Sequence, residues 1–395
     1  MVGVMPRNLF VALLSLLLAP LMRGQATVAL PFTNLSRDAN LEWIGEAAAE
    51  NILESVHAEG LLTLDRAARA HAMQRLALPA NVLLSRASIL RIADELEAAF
   101  AVFGEYEVAK PSGEKASIKL RARVMDRKRL HQSAELAEEG LLDDLATLQS
   151  RMAWKVLAAI TPTSTGKLED YLARRKNVRA DAIESYVRGL LAKESAAKHR
   201  YFTQSARLDP EYSQPCFQLG LHYWDKEDYQ QASQWFLRVS RQDAHYMEAA
   251  FYYGISRHYL GDYPAAEAAF LTVSSSVPLN EVFSNLGAAQ VRQAKYEAAI
   301  SNFEKALDGD PADPDFHFNL AYALWRAKRF DDAANQFRAV LERIPDDADA
   351  TALLGLCLRN QTLRAGESKY EGLERIKEEY EETVFRQLKS LVDKK

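Results

Sequence analysis

Residues 286–311 read LGAAQVRQAKYEAAISNFEKALDGDP, and the same skeleton returns on both sides at a near-constant spacing. A large–small pair opens each copy: Leu219-Gly220, Tyr253-Gly254, Leu286-Gly287, Leu320-Ala321 and Leu354-Gly355, whose small residues stand 34, 33, 34 and 34 positions apart. Tyr229, Tyr263, Tyr296 and Phe330 each precede an alanine by three residues (Ala232, Ala266, Ala299, Ala333), and an aromatic follows that alanine four residues on, at Phe236, Phe270, Phe303 and Phe337. Pro278, Pro311 and Pro345 close three of the copies, and Ala244 replaces proline in one. This spacing suits two helices per copy: a small residue on the first helix and an alanine on the second let the two approach, and the aromatics fill the space between. Proline stops the second helix, and Gly261-Asp262 supplies a short turn inside one copy. A fixed period of this length marks an array of stacked units.

These residues resemble the tetratricopeptide repeat (TPR) family. The resemblance implies an all-α solenoid, a right-handed superhelix of antiparallel helix pairs, over residues 181–362. It comprises a degenerate first unit at Asp181–Pro210, retaining Gly189, Phe202 and Asp209-Pro210, and then about five regular units. Beyond it, Tyr370, Leu373, Ile376, Tyr380, Val384, Leu388 and Leu391 recur at steps of three or four. They predict an amphipathic helix over 363–395 that caps the last repeat, with a dimerising coiled coil as the sharper reading.

TPR arrays stack their first helices along a concave groove, and the resemblance places particular residues on it. They are Phe217, Gln218, Leu221 and Trp224 in the second unit, and Phe251, Tyr252, Ile255, His258 and Tyr259 in the third. Ser284, Asn285, Ala288 and Arg292 follow in the fourth, and Phe318, Asn319, Tyr322, Trp325 and Arg326 in the fifth. The expected groove is aromatic at one end and bears amides and arginines at the other. In some TPR proteins an asparagine just before the large–small pair hydrogen-bonds a bound peptide's backbone or terminal carboxylate. Asn285 and Asn319 occupy that position, with Arg292 and Arg326 one to two turns on, which suits an extended peptide with an acidic group. The lysines of the family's dedicated carboxylate clamp are not evident here. The plainer reading is packing between helices, expected for about half of these aromatics. Gly254→Leu, which pries helices apart, is expected to cost more stability than Asn319→Ala, which touches only binding.

Residues 27–161 change to a mixed α/β pattern, and 162–180 read as a linker or helical connector. Short strands are expected at Val28–Phe32 and Leu61–Leu64, helices at Trp43–His57, Ala67–Leu76, Ser85–Glu97 and Asp143–Ile160. A hairpin is expected from Phe100–Ala109 and Ala116–Met125 across Pro111-Ser112-Gly113. The run Ala29–Asp38, with Trp43-Ile44-Gly45 and Phe103-Gly104, resembles the TolB amino-terminal-like domain also seen in envelope-assembly proteins of the FlgO and curli-assembly type. That resemblance implies an exported bacterial envelope protein, and Arg37 stands where the family has a glycine.

At the N-terminus, Arg7 precedes an apolar run from Leu9 to Ala19, followed by Pro20 and Gly24-Gln25-Ala26. Residues 1–26 read as a secretory signal peptide cleaved after Ala26, hence an exported, periplasmic protein; a retained membrane anchor is the alternative. A net charge of −5 without a basic block argues against nucleic acid as partner. Cys216 and Cys357 lie far apart along the array and are expected as buried thiols. Thr165-Gly166-Lys167 ends like a phosphate loop but lacks its first glycine, His222, His245 and His258 show no ligand spacing, and Asp143-Asp144 and Asp346-Asp347 read as helix N-terminal charges. No cofactor, metal or catalytic set is expected. The whole reads as a non-enzymatic protein–protein interaction scaffold of the bacterial cell envelope, binding a protein or peptide in the groove. Peripheral envelope association and the oligomeric state stay open. The alternative is an accessory subunit of an envelope biosynthesis, secretion or peptidoglycan enzyme complex.

Overall fold

The computed structural model describes residues 26–36, 38–78, 83–110, 115–163, 165–175, 177–362, 369–381 and 384–385. Residues 1–25 of the expected signal peptide or anchor, Arg37, the expected turn Pro111-Ser112-Gly113, and Leu388 and Leu391 lie outside them. The chain forms two compact units, one ending at Pro215 and the other beginning at Cys216.

In the first unit, β3 (Phe100–Ala109) and β4 (Ser117–Asp126) form a long antiparallel hairpin, in register from Phe100 opposite Asp126 to Ala109 opposite Ser117. β1 (Thr27–Ala29) and β2 (Thr33–Asn34) lie parallel along the free edge of β3. β5 (His131–Gln132) and β6 (Leu136–Leu141) pair antiparallel with β4 on the other side. The expected strand at Leu61–Leu64 is reduced to one parallel bridge between Thr63 and Thr27. Around the sheet are α1 (Trp43–Ala58), α2 (Arg66–Arg75), α3 (Arg86–Glu95) and α4 (Leu145–Ile160). Val28, Leu30, Ile89, Ile92, Ala101 and Met125 share one core beneath β1 and β3. Gly45 opens the way for Phe32 to cross α1: a Cβ there would stand 2.1 Å from the Phe32 carbonyl oxygen, and the Phe32 amide donates to Gly45 O at 3.1 Å. The connector contains the short helix α5 (Leu168–Ala173), with Tyr171 buried. It leads to α6 (Ala180–Leu191) and α7 (Ser195–Leu208), the degenerate pair, in which Gly189 faces the Phe202 ring. This pair belongs to the first compact unit, where α6 packs on α1 as well as on α7.

Among the described residues, the second unit holds four regular helix pairs: α8 (Ser213–Trp224, whose first turn spans the division) with α9 (Tyr229–Phe236), α10 (Tyr246–Tyr259) with α11 (Tyr263–Ser276), α12 (Asn280–Val291) with α13 (Tyr296–Gly309), and α14 (Pro314–Arg326) with α15 (Phe330–Arg343). The repeat logic is explicit in the packing. A Cβ on Gly220, Gly254 or Gly287 would fall 2.5–2.7 Å from the ring of Phe236, Phe270 or Phe303, so the aromatic of each second helix rests directly on the backbone of the first. Each first helix ends in a left-handed residue, in order Glu227, Gly261, Ala294 and Lys328, with Asn360 after α16 (Ala348–Cys357).

Two expectations fail here. The fifth regular unit has its first helix, α16, but no second helix among the described residues. The cap expected as one amphipathic helix over 363–395 is not helical at residues 373–381, and among the described residues of that stretch Val384 and Phe385 alone are helical. Instead of covering the end of the array, this segment turns back along it.

Candidate peptide groove

After α16 two side-chain hooks on α14 hold the chain. Trp325 Nε1 donates to Gln361 O at 2.8 Å, and the Tyr322 hydroxyl donates to Tyr370 O at 2.7 Å. Gly372 then turns with a φ of 71°, tucked so closely under Arg292 that a Cβ would lie 2.5 Å from Nη1. Only glycine takes that conformation without strain. From there residues 373–381 pass over α14, α12 and α10 in turn.

Two asparagines hold this segment by its main chain. Asn319 Nδ2 donates to Arg375 O and Asn319 Oδ1 accepts from the Arg375 amide, both at 2.8 Å. Asn285, one repeat earlier, makes the same pair of bonds with Lys377, again at 2.8 Å. Both asparagines are fully buried, and Asn319 also donates to Ser284 Oγ at 3.1 Å. Alternate residues are thus gripped, and their side chains turn to the same side, as an extended chain requires. Ile376, between them, packs against both apolar clusters of the array, one around Phe318 and Trp325 and one around Phe251 and Phe270.

The side chains on the gripped residues meet carboxylates. The Arg375 guanidinium lies 3.8 Å over the Phe318 ring, donates from Nη1 to Asp315 at 3.1 Å, and pairs with Asp347 through Nη2. Lys377 Nζ stands 2.6 Å from Asp315 Oδ2 and 2.9 Å from Asp313 Oδ2. Local sequence explains the placement: Asp313 and Asp347 are the N-caps of α14 and α16, each accepting from its helix's first amides through Oδ1 while Oδ2 faces the cation; Lys377 Nζ reaches Asp313 Oδ1 as well, at 3.2 Å. Burial works to raise the Asp315 carboxyl, but the hydrogen bonds and charges of Lys377 and Arg375 outweigh it and hold it below its usual range. Burial likewise works against the Lys377 ammonium, and its bonds to Asp315 and Asp313 reverse that, holding it above the ordinary lysine range. Glu374 is different. It is buried, its Oε1 has no hydrogen-bond partner, Arg292 Nη1 is 3.9 Å from Oε2, and burial pushes the carboxyl up against the pull of Arg292 and Arg326.

Further along, Tyr380 meets Phe251 edge-on at 5.0 Å and its hydroxyl donates to Glu248 at 3.1 Å, while the Tyr259 hydroxyl donates to Glu378 at 2.6 Å. Phe385 is buried beside Phe251, Phe270 and Val282.

Of the residues expected on the groove, Asn285, Asn319, Phe318, Tyr322, Phe251 and Tyr259 touch the tail, Trp325 holds Gln361 before it, and Arg292 flanks it. Arg326 donates to the hydroxyls of Tyr322 and Tyr296, both at 3.1 Å. His258 sits against Tyr263; burial, aided by Arg292, pushes its imidazole down to about 4. The rest of the expected aromatic end makes contacts between helices: Phe217 stacks on His245 at 4.6 Å, Trp224 leans on Tyr229 and Tyr252, and Tyr252 stacks on Phe236. Gln218 is half-buried on α8. Sequence alone did not point to Asp313, Asp315 and Glu248 and marked Asp347 only as a helix N-terminal charge; the available signal was acidic residues at the starts of successive first helices. Cys216 and Cys357 are both buried thiols, pushed up to about 11 by burial.

Residues 217–276 and 290–357 match models of the tetratricopeptide repeat, so the chain carries such repeats there. Repeats of this kind are protein-interaction scaffolds. Human protein IFIT1 homolog B is 36% identical over 83 residues, which cover 19% of this chain and 18% of that protein's length. Among solved structures, YrrB, described as a TPR protein with an unusual peptide-binding site, is similar with a TM-score of 0.41 and 18% identity, covering 44% of this chain and 91% of that one. MamA from residue 41 onward, of Desulfovibrio magneticus RS-1, is similar with a TM-score of 0.37 and 24% identity, covering 41% of this chain and 92% of that one.

Proposed function

We propose that this chain is a non-enzymatic scaffold of the bacterial cell envelope that binds an extended segment of a partner protein along the first helices of its repeats. One observation carries the reading. Asn285 and Asn319, one repeat apart and fully buried, each close a two-bond ring on the main chain of alternate residues. Such bonds are indifferent to side-chain identity and are what any extended peptide offers. The chain's own tail now supplies that main chain.

The export half of the proposal rests on Arg7, the apolar run Leu9–Ala19 and the small-residue site ending at Ala26. The first compact unit, on the resemblance quoted above, docks to another envelope component. Pull-downs from envelope fractions with wild type and with Asn285→Ala/Asn319→Ala test the groove: the partner is expected to be lost from the variant, and recovery of the same proteins in the same amounts would refute the reading. An intact mass of the purified protein, expected to begin at Thr27, tests export.

A further inference from the structure

Resting on that groove reading, we propose that the groove selects a partner segment of the form acidic–basic–apolar–basic, the order Glu374-Arg375-Ile376-Lys377 now occupying it, and that the tail competes with the partner for the same site. The asparagine forks fix an extended backbone and its register, but carry no sequence preference of their own. Selection comes from what faces the side chains.

Asp313, Asp315 and Asp347 converge on the two basic positions, supplying three carboxylates to two cations. An uncharged or acidic segment would leave these carboxylates crowded and partly desolvated without compensation. Arg375 gains a second determinant, the Phe318 ring beneath its guanidinium at 3.8 Å, which suits the planar cation of arginine better than a lysine. The apolar position is bounded by two clusters at once, so a small or polar residue there would leave both uncovered.

The acidic position faces Arg292, with Arg326 next along. The resident Glu374 fills it imperfectly, with Oε2 3.9 Å from Arg292 and Oε1 unpartnered. A carboxylate seated within hydrogen-bonding distance of Arg292 would therefore displace a tail that holds the other positions well and this one poorly. The occupant is a partner segment of this chemistry, and a tethered tail lowers its apparent affinity by the fraction of time the groove is filled.

The probe is a fluorescein-labelled peptide of sequence YEGLERIKEEYEETVF, identical to residues 370–385. Its anisotropy is followed on the full chain and on full-length R375E/K377E, whose tail carries the wrong charge. The peptide is expected to bind the variant at least about tenfold tighter than wild type, and the same peptide with Arg375→Gln and Lys377→Gln to bind the variant at least about tenfold more weakly. Equal affinities of the two peptides, with binding still abolished by Asn285→Ala, would overturn the basic preference and leave the groove reading standing. Binding insensitive to Asn285→Ala would overturn both. No binding of either peptide overturns the proposed selectivity, and the pull-down then judges the broader reading. Light scattering that shows wild-type dimers lost in R375E/K377E would assign the groove to a second copy's tail and overturn the partner. Should circular dichroism show that R375E/K377E has lost its helices, Tyr380→Ala loosens the tail at its other end and replaces it in every comparison.

Discussion

Asn319→Ala removes a single amide from a fully buried position, and its consequence can be worked through bond by bond. That amide donates to Arg375 O and Ser284 Oγ and accepts from the Arg375 amide. If the tail stayed in place, the Arg375 N–H and C=O would both lose their partner at a part-buried site, at about 1–3 kcal/mol each. Because the site is only part-buried, the low end of that sum applies, and the docking free energy of the tail is expected to fall by about 2–3 kcal/mol. Hydrogen exchange reads this away from the mutated site. The Lys377 amide donates to Asn285 and the Phe385 amide to Glu381 O, and neither touches residue 319. Protection at both is expected to drop about 30- to 100-fold, together with Arg375, because 1.4 kcal/mol is a factor of ten. The Ile344 amide, bonded to Val340 O in the array itself, should keep its protection. If Arg375 alone exchanges faster while Lys377 and Phe385 are unchanged, the tail is not docked as one unit, and the energetic reasoning fails. The expectation that this substitution touches only binding is revised accordingly: stability and groove occupancy are one quantity here.

Three further outcomes follow from the packing. The unfolded chain protonates His258 near 6.5 and the folded chain only near about 4, so the unfolded state holds more protons in between, and stability falls as pH drops through that window by up to about 3 kcal/mol. Denaturation of wild type and His258→Gln at pH 7 and pH 4.5 isolates this from Glu374, whose raised carboxyl acts in the opposite sense; identical pH dependence in both proteins would rule it out. Gly287→Ala should lower the melting temperature, since its Cβ would sit 2.7 Å from Phe303, a clash of about 1–3 kcal/mol, whereas Gly355→Ala meets only guanidinium nitrogens at 3.5 Å and beyond and should raise it through a helix-propensity gain of about 1 kcal/mol. Shifts of the same sign would contradict the contrast. Ala294, held at a φ of 59°, should gain about 0.5–1 kcal/mol on replacement by glycine, read as a higher urea midpoint; a lower midpoint would show that the turn carries no strain.

The array was legible because its determinants are local and repeated: the glycine under Phe303 and the alanine at Ala299 lie within one helix pair, and the period exposes them. The inter-helix turns were less so. Sequence pointed to Gly261, while Glu227, Ala294, Lys328 and Asn360 take the same left-handed conformation without a glycine to announce it. β6 was invisible for a different reason. Its inward positions are Leu136, Glu138 and Gly140, and Glu138 is kept there by an ion pair to Lys155 at 2.6 Å, so no apolar alternation marks the strand. Gly355 shares the large–small motif but has no aromatic resting on it, because the second helix that would supply one does not follow among the described residues.

The tail shows most clearly where periodicity and environment part. Leu373, Ile376, Tyr380 and Val384 are spaced for one face of a helix, and a helix would bury that face against one partner. The groove instead has two apolar walls: Tyr370, Leu373 and Ile376 pack on one, and Ile376, Tyr380, Val384 and Phe385 on the other. A segment that packs on two walls has no reason to show a single-sided pattern, so its spacing cannot distinguish helix from strand. What decides is the polar floor. A helix satisfies its own main chain and would offer Asn285 and Asn319 nothing at fully buried positions, and it could not bring residues 375 and 377 to the same side beneath Asp313, Asp315 and Asp347. An extended chain satisfies both amides and pairs both cations at once. The two asparagines therefore specify an extended main chain in the groove, while the three aspartates specify its basic side chains. The first requirement could be read from a position in the repeat; the second emerges only when the starts of α14 and α16 are brought together in space.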